Sequence, residues 1–190
     1  MHLSPAENGQ VNETFPLENL LKMNFVAIDF ETANGSMNSA CAVGLVRCVD
    51  GVLTEEFQTL IRPPVLYFWS RHIDVHGITP ADVRPYGLFN AYWDQIRDFI
   101  GDSLLVAHNA PVDRGVLNAC LDHFDLPPIS NPWKCSCRTA RRYFPNVLHV
   151  QLPNYRLNTV AEYFNIQFNH HDALEDARAC ALIMAQMEKN

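Results

Sequence analysis

The alternation of hydrophobic and polar positions near the start of the chain predicts a strand followed by a hairpin. Residues 25–30 are apolar at every position except Asp29 and are rich in strand-forming residues, which is typical of a buried central strand. Two further apolar runs, at residues 40–49 and 52–61, are joined by an Asp-Gly dipeptide, which favours a two-residue hairpin turn. These three segments are predicted to open a β-sheet.

Helical patterns and one more strand follow in the rest of the chain. A helix is expected to begin at Thr79-Pro80, with Thr79 as N-cap and Pro80 at the first helical position. Residues 103–107 are predicted to form a short buried strand. Further helices are predicted over residues 88–100, 112–123, 137–144, 157–164 and about 172–188. The predicted order, in which strands come first and helices alternate with strands later in the chain, is typical of a mixed-sheet α/β domain.

One domain is expected over residues 23–190. The chain has 190 residues, of which 48% are hydrophobic and 18% charged, and this length allows one domain to bury its own core. We interpret the polar, mixed residues 1–22 as an N-terminal extension, with Met23 as an alternative natural start. No apolar run approaches the roughly 20 residues that span a bilayer, and no leader pattern is present. A cytoplasmic protein without membrane contact is therefore expected.

Charge and cysteine content narrow the classes of function. The formal net charge of −7 argues against a protein that coats nucleic acid by bulk attraction, because phosphates are neutralised by local Lys and Arg. It does not exclude a nucleic-acid enzyme, since clustered carboxylates add to the negative charge and bound cations would cancel part of it. The six cysteines are interpreted as reduced core residues, and the Cys135-x-Cys137 pair lacks partners at zinc-site spacing.

Acidic residues fall at the ends of three predicted elements. Asp29 and Glu31 lie two residues apart on the first strand, so both point to one face, where apolar side chains would pack better. Asp113 follows the strand at 103–107, at the edge where α/β sheets place ligands. Asp176 lies in the first turns of the last helix. Carboxylates packed together raise one another's pKa values, which favours hard cations such as Mg²⁺ as the intended occupants.

These residues resemble the three exonuclease motifs of the DEDDh, or DnaQ-like, exonucleases. The motifs are Asp29-Phe30-Glu31-Thr32, His108-Asn109-Ala110-x-x-Asp113 and His171-x4-Asp176. The resemblance covers nearly all of residues 25–186 and implies a ribonuclease H-like fold, with a five-stranded mixed sheet flanked by helices. Proofreading subunits of bacterial DNA polymerases belong to this family, as do related ribonucleases.

The resemblance also implies an activity, the release of nucleoside 5′-monophosphates from the 3′ end of DNA with two divalent cations, Mg²⁺ or Mn²⁺. It implies that Asp29 bridges both cations and that Glu31 and Asp176 complete the site of the attacking water. Asp113 would support the second cation, mainly through water.

A histidine is expected to act as general base in this site. Asp172 and Glu175 have the spacing of a capping box, so His171 lies in the loop before the last helix. Its imidazole, with an ordinary pKa near 6.5, can accept a proton at neutral pH, and His171 is the expected base. His170 is the competing candidate, and the five-residue offset to Asp176 favours His171.

Contacts to the substrate are implied by the same resemblance. The residues concerned are Thr32, His76, Gly77, Ile78, His108 and Asn109. The first four are expected against the last base and sugar, and the last two on the phosphate side. A track for the strand's phosphates is offered by Arg138, Arg141, Arg142 and Arg156, with a solvated helix face as the alternative. Tyr143, Phe144 and Tyr155 are candidates for base stacking or for core packing.

Several alternatives stay open at this point. The same chemistry on RNA would make an exoribonuclease or oligoribonuclease, and no residue visibly contacts a 2′-hydroxyl. A catalytically silent module that binds nucleic acid or a polymerase is a second alternative, and a cysteine hydrolase a third.

The chain departs from the family pattern at Val112, which replaces the Phe that many members carry before Asp113. The smaller side chain changes the wall of the site rather than its chemistry. No long tail follows residue 190, which leaves association with a polymerase open, as a homodimer also is.

Overall fold

The protein is described by a computed structural model, which covers residues 24–188. Its strands are β1 (Phe25–Thr32), β2 (Ala40–Val49), β3 (Val52–Leu60), β4 (Leu104–Ala107) and β5 (Trp133–Cys135). They form one sheet in the order β3-β2-β1-β4-β5. β2 is antiparallel to β1 and β3, whereas β1, β4 and β5 are parallel to one another. The predicted five-stranded mixed sheet is confirmed.

Seven α-helices occur within the described residues. They are α1 (Ser70–His76), α2 (Pro80–Val83), α3 (Trp93–Ile100), α4 (Ala110–His123), α5 (Ser136–Tyr143), α6 (Leu157–Tyr163) and α7 (Ala173–Met187). A 3-10 turn at Phe89–Ala91 precedes α3, and a π-helical turn at Phe144–Leu148 follows α5. The predicted helices are confirmed, and the one over 88–100 is divided into a turn and a helix.

The hairpin between β2 and β3 forms at the predicted dipeptide. Asp50 and Gly51 both have positive φ, 54° and 79°. A two-residue turn of this hand needs positive φ at both positions, which Gly adopts freely and Asp tolerates. The turn therefore fixes the register of β2 against β3, with Val49 opposite Val52.

The sheet has a hydrophobic layer on each face. Phe25 and Ala27 of β1 pack in one core with α5, α6 and α7, and Val26 and Ile28 pack in another with α3 and α4. Alternate residues of a strand point to opposite faces. Asp29 therefore continues the face that α7 covers, at the end of β1 nearest the carboxyl end of β4.

A glycine allows α7 to approach that part of the sheet closely. Gly44 of β2 lies opposite Asp29 of β1. A Cβ at Gly44 would lie 2.3 Å from the Ala173 carbonyl oxygen and 2.5 Å from the Leu174 Cα. Any side chain there would push the first turn of α7 away from the sheet, and this turn carries Asp176.

Two elements were not predicted from the sequence, α1 and β5. Trp69 precedes α1 without a side-chain capping bond, and none of the helix is fully buried. β5 has only three residues. The capping box predicted for α7 is half present: the Asp172 carboxylate accepts hydrogen bonds from the backbone of Leu174 and Glu175, while the Glu175 carboxylate pairs with Arg178.

The predicted extension over residues 1–22 and the alternative start at Met23 lie outside the described residues. Between residues 24 and 188, no helix is long and apolar enough to cross a membrane.

Candidate active site

Three carboxylates converge where β1 ends and α7 begins. Oxygen atoms of Asp29, Glu31 and Asp176 all lie within 4.8 Å of one another. Asp29 and Glu31 share one face of β1, and Asp176 is 5% exposed in the first turn of α7. The structure therefore brings together residues from opposite ends of the sequence, as predicted.

The fourth carboxylate comes from α4. Asn109, with φ of 76°, makes a left-handed turn after β4, and α4 begins at the next residue. The Phe30 N–H donates a hydrogen bond of 3.2 Å to Asp113 Oδ1. Asp113 is 5% exposed and is thus held against β1 between Asp29 and Glu31.

The carboxylates oppose one another's ionisation. Burial, with the charges of Asp176 and Asp113 next, raises the pKa of Glu31 to about 8. Burial raises the pKa of Asp113 to about 7 and also raises the pKa of Asp29 and of Asp176. A hard cation would offset this repulsion, and a site made of carboxylate oxygens suits Mg²⁺ or Mn²⁺. The donor set therefore fits the predicted cations.

The two adjacent histidines contact Asp176 in different ways. The His170 ring places Nδ1 3.0 Å from both carboxylate oxygens of Asp176. His171 has φ of 72°, and its backbone N–H donates to Asp176 Oδ1 at 3.2 Å. The two rings stack with centroids 3.7 Å apart. Burial, followed by the charge of His170, lowers the pKa of His171. A loop position for His171 is confirmed, and its role as base stays a prediction.

His108 is fixed by hydrogen bonds within the protein. Its Nε2 lies 3.0 Å from the Tyr155 carbonyl oxygen, which can only accept, so Nε2 carries the proton. Its Nδ1 lies 2.9 Å from Ser136 Oγ. Burial lowers the pKa of His108 to about 4, so the ring is neutral at pH 7. With both nitrogens occupied, His108 is placed to shape the wall of the site, while Asn109 is exposed beside it.

The predicted substrate loop is tied to the end of β1. The Thr32 carbonyl oxygen lies 3.2 Å from His76 Nε2 and 2.8 Å from His72 Nδ1. The Ile78 N–H donates to His76 Nδ1 at 3.0 Å, and Gly77 ends α1 with φ of 74°. His72 was missed in the sequence, although its four-residue spacing from His76 would place both on one helix face. The contacts of these residues with substrate stay a prediction.

A cavity of about 550 Å³ opens over the carboxylates. Its lining residues include Asp29, Glu31, Asp176, His108, Asn109, His170 and His171. Arg141 and Arg156 line the same cavity, so positive charge faces the acidic group from α5 and the loop before α6. Tyr155 also lines it, whereas Tyr143 and Phe144 are buried in the core, as the packing alternative proposes.

The cysteines are poorly suited to act as nucleophiles. Cys41, Cys48, Cys120 and Cys180 are buried, and Cys135 and Cys137 are partly exposed. Burial raises the pKa of Cys120 to about 12 and also raises the pKa of Cys41 and Cys180. Since the thiolate is the reactive form, these buried thiols are inert at neutral pH.

Comparison with known proteins gives consistent matches. The family model RNase_T, described as an exonuclease, matches residues 26–184. The chain is 30% identical to "DNA polymerase III subunit epsilon" of Aquifex aeolicus (strain VF5), over 90% of this chain and 83% of that protein. It is 30% identical to "DNA polymerase III PolC-type" of Halalkalibacterium halodurans, over 90% of this chain but 12% of that protein.

A solved structure is also similar. "Exonuclease X in complex with 5′ overhanging duplex DNA" superposes with a TM-score of 0.69 at 25% sequence identity, covering 87% of this chain and 91% of that one. The ribonuclease H-like fold implied by the motifs is thereby supported over nearly the whole described domain.

Proposed function

The chain belongs to the RNase_T family of exonucleases, and we propose that it removes nucleotides from the 3′ end of DNA with two divalent cations. The relatives named as DNA polymerase III proteins favour DNA over RNA as the substrate. Release of nucleoside 5′-monophosphates one at a time is part of the proposal.

One observation carries this proposal. Carboxylate oxygens of Asp29, Glu31 and Asp176 lie within 4.8 Å of one another, in a cavity that Arg141 and Arg156 also line. Carboxylates this close are costly to ionise without cations, while the arginines offer phosphate-binding charge beside them. A cavity that combines both is suited to a phosphodiester and its cations.

Each residue of the site has a proposed role. Asp29, Glu31, Asp113 and Asp176 would hold the cations. When bound, Mg²⁺ or Mn²⁺ supplies charge that lowers the pKa of the attacking water and stabilises the leaving oxygen. His171 would accept the proton from that water, and its lowered pKa keeps the ring able to do so near neutral pH.

The remaining residues would hold the end of the strand. Thr32 with the His76-Gly77-Ile78 loop is proposed to contact the last base and sugar, because the His76 side chain holds this loop against the Thr32 carbonyl at the end of β1, next to Glu31. Asn109, exposed at the left-handed turn before α4, is proposed to lie on the phosphate side. His108 is proposed to orient this wall.

The test uses single strands of DNA and RNA of the same sequence, labelled at the 3′ or the 5′ end. Each is incubated with Mg²⁺, with Mn²⁺ or with chelator, beside an Asp29→Ala variant. We expect the wild type to release the 3′ label first, to shorten the 5′-labelled strand stepwise and to require cation. The variant should do neither.

Each contrary outcome selects another function. Faster cleavage of the RNA strand would make the protein an exoribonuclease with the same residues. No cleavage of either strand, with cation or strand binding retained in calorimetry, would overturn the catalytic proposal in favour of a binding module.

A further inference from the structure

A second cavity lies beside the candidate active site, and α5 borders both. Cys137 and Arg141 of α5 line the catalytic cavity. Arg138 and Arg142 of the same helix line a groove of about 600 Å³, together with Lys134 of β5. Residues four apart share a helix face, so the two pairs lie on neighbouring faces about 100° apart. We call the second cavity the α5 groove.

The α5 groove is cationic in a protein of net charge −7. Three basic side chains line it, and none of its lining residues between positions 24 and 188 carries a carboxylate. Lys134 pairs with Glu188 at its rim, but Arg138 and Arg142 are exposed and have no carboxylate partner among the described residues. Two guanidinium groups of the groove are therefore available to an anion.

We propose that the α5 groove binds the phosphodiester backbone of the strand being degraded, upstream of the nucleotide at the catalytic carboxylates. This inference rests on the proposed function and extends it, because it makes the protein a nuclease that holds several nucleotides of its substrate. Arg141 lies on α5 between the two cavities and links the positive charge of both.

The size of α5 sets the number of nucleotides involved. A helix with its side chains is about 10–12 Å across. Faces about 100° apart on such a helix are separated by roughly 8–9 Å, so the groove lies about two to three phosphates from the catalytic cavity when a stacked strand advances about 3.4 Å per phosphate. Strands shorter than this would occupy the catalytic cavity alone. A comparison of short and long strands therefore distinguishes binding in the α5 groove from binding in the catalytic cavity.

The lining favours a nucleic acid over an acidic protein. Besides the basic residues, the α5 groove offers the Thr139 hydroxyl, the Asn146 amide and the partly exposed Trp133 ring. Guanidinium groups with a nearby aromatic ring suit phosphates and bases of a single strand. An acidic protein segment is the competing occupant, and the salt dependence of DNA binding distinguishes it from a nucleic-acid strand.

The test variant is Arg138→Gln/Arg142→Gln, and the matched control is Arg62→Gln/Arg84→Gln, two exposed arginines that line neither cavity. Binding of labelled DNA single strands is measured by fluorescence anisotropy in chelator over a range of KCl. Each lost phosphate contact lowers the slope of log affinity against log salt by about 0.7, so about 1.4 is expected for two contacts. If the wild type and the variant bind equally at about 1 M salt, this difference in slope makes the affinity of the variant about 25-fold lower at about 0.1 M salt.

Length dependence is the second readout. The loss is expected for a strand of about 20 nucleotides and not for one of about three, and kcat/KM should follow the same pattern. An equal loss on both lengths would show that the variant perturbs the catalytic cavity, and this would overturn the proposal. Unchanged salt dependence on the long strand would also overturn it, and would leave an acidic protein as occupant of the groove.

The proposal and the proposed function fail in different ways. If the wild type cleaves no strand, the exonuclease proposal fails. Binding in chelator still decides whether Arg138 and Arg142 contact the strand.

Discussion

His170 and His171 are neighbours in the chain, and a ring nitrogen of each lies within 4.8 Å of an Asp176 oxygen, yet only the His170 ring is at hydrogen-bonding distance. The His170 ring lies 3.0 Å from both oxygens of that carboxylate, while His171 offers its backbone N–H and leaves its ring stacked on that of His170. The left-handed backbone at His171 produces this arrangement, since it turns the two side chains to the same side. The two histidines are thus expected to respond differently to substitution.

Replacement of each histidine should separate a base from a positioning residue. His171→Asn is expected to lower kcat by roughly 10² to 10⁴, because it removes the proposed proton acceptor. His170→Asn should mainly weaken cation binding, by roughly tenfold, since it touches a proposed ligand. The measurement is kcat against pH and against cation concentration for both variants. If His170→Asn removes the acidic limb of the pH profile and His171→Asn does not, their roles are reversed.

Asp29 is expected to lower the stability of the cation-free folded protein and to be required for activity. Asp29→Asn should lower kcat roughly 10³-fold or more, since several kcal/mol of cation stabilisation are lost. The same substitution should raise the melting temperature of the cation-free protein, because burial and four neighbouring carboxylates already raise the pKa of Asp29. Thermal unfolding in chelator measures this, with Asp102→Asn, an exposed carboxylate, as the control. A melting temperature lowered by Asp29→Asn would contradict the electrostatic argument.

At the scale of elements, Gly44 controls how closely α7 approaches β2. Gly44→Ala is expected to destabilise the protein by about 1–3 kcal/mol, as overpacked sites do, and to lower activity by moving Asp176. Gly115→Ala, within α4, is a suitable control, since its Cβ would make only an ordinary contact of 3.6 Å with the Met37 sulfur. That control should be neutral or slightly stabilising. Chemical denaturation and cleavage rate measure both variants, and similar behaviour of the two would contradict this account of Gly44.

The elements that were predicted from sequence carry their own local signals. β1 begins with four apolar residues in a row, the hairpin has its Asp-Gly turn, and α7 has the Asp172 cap. α1 lacks a capping side chain and a buried face, and His72 and His76 hold it to the Thr32 carbonyl through tertiary contacts. β5 is too short to show periodicity and exists because it pairs with β4. Such elements depend on partners that the local sequence does not specify.

The same distinction applies within the candidate site. Asp29, Glu31 and Asp176 were predictable as a group because each interrupts or begins an apolar element. The contact of His170 with Asp176 depends on φ of 72° at the next residue, which the sequence does not reveal. The occupation of both His108 nitrogens likewise depends on Ser136 and Tyr155, which are distant in sequence.

At the scale of the whole molecule, the buried carboxylates link stability to pH. The pKa of Glu31 is raised from 4.5 to about 8 and that of Asp113 to about 7, so the folded protein retains protons that the unfolded chain has lost. This contribution makes the free energy of unfolding fall as pH rises towards about 8. His108 acts in the opposite sense, because its pKa is lowered from 6.5 to about 4, and its effect is complete above pH 6.5.

The decisive window is therefore pH 6.5 to about 8, between the ordinary histidine pKa and the raised pKa of Glu31. The cation-free protein is expected to lose stability across this window, and Mg²⁺ is expected to stabilise it most at the upper end. Melting temperatures with chelator and with Mg²⁺ measure this, and Glu31→Gln should flatten the cation-free profile. A cation-free profile that rises across the window would show that the carboxylates are not mutually destabilising.

The carboxylates of the candidate site lie far apart along the chain, on β1, α4 and α7. Synthesis runs from the N-terminal to the C-terminal end of a chain, so Asp29 and Glu31 are made before Asp176. A product that stops before α7 would lack the Asp176 carboxylate and the helix that covers this face of the sheet. We therefore expect every product truncated before α7 to be unable to assemble the proposed cation site.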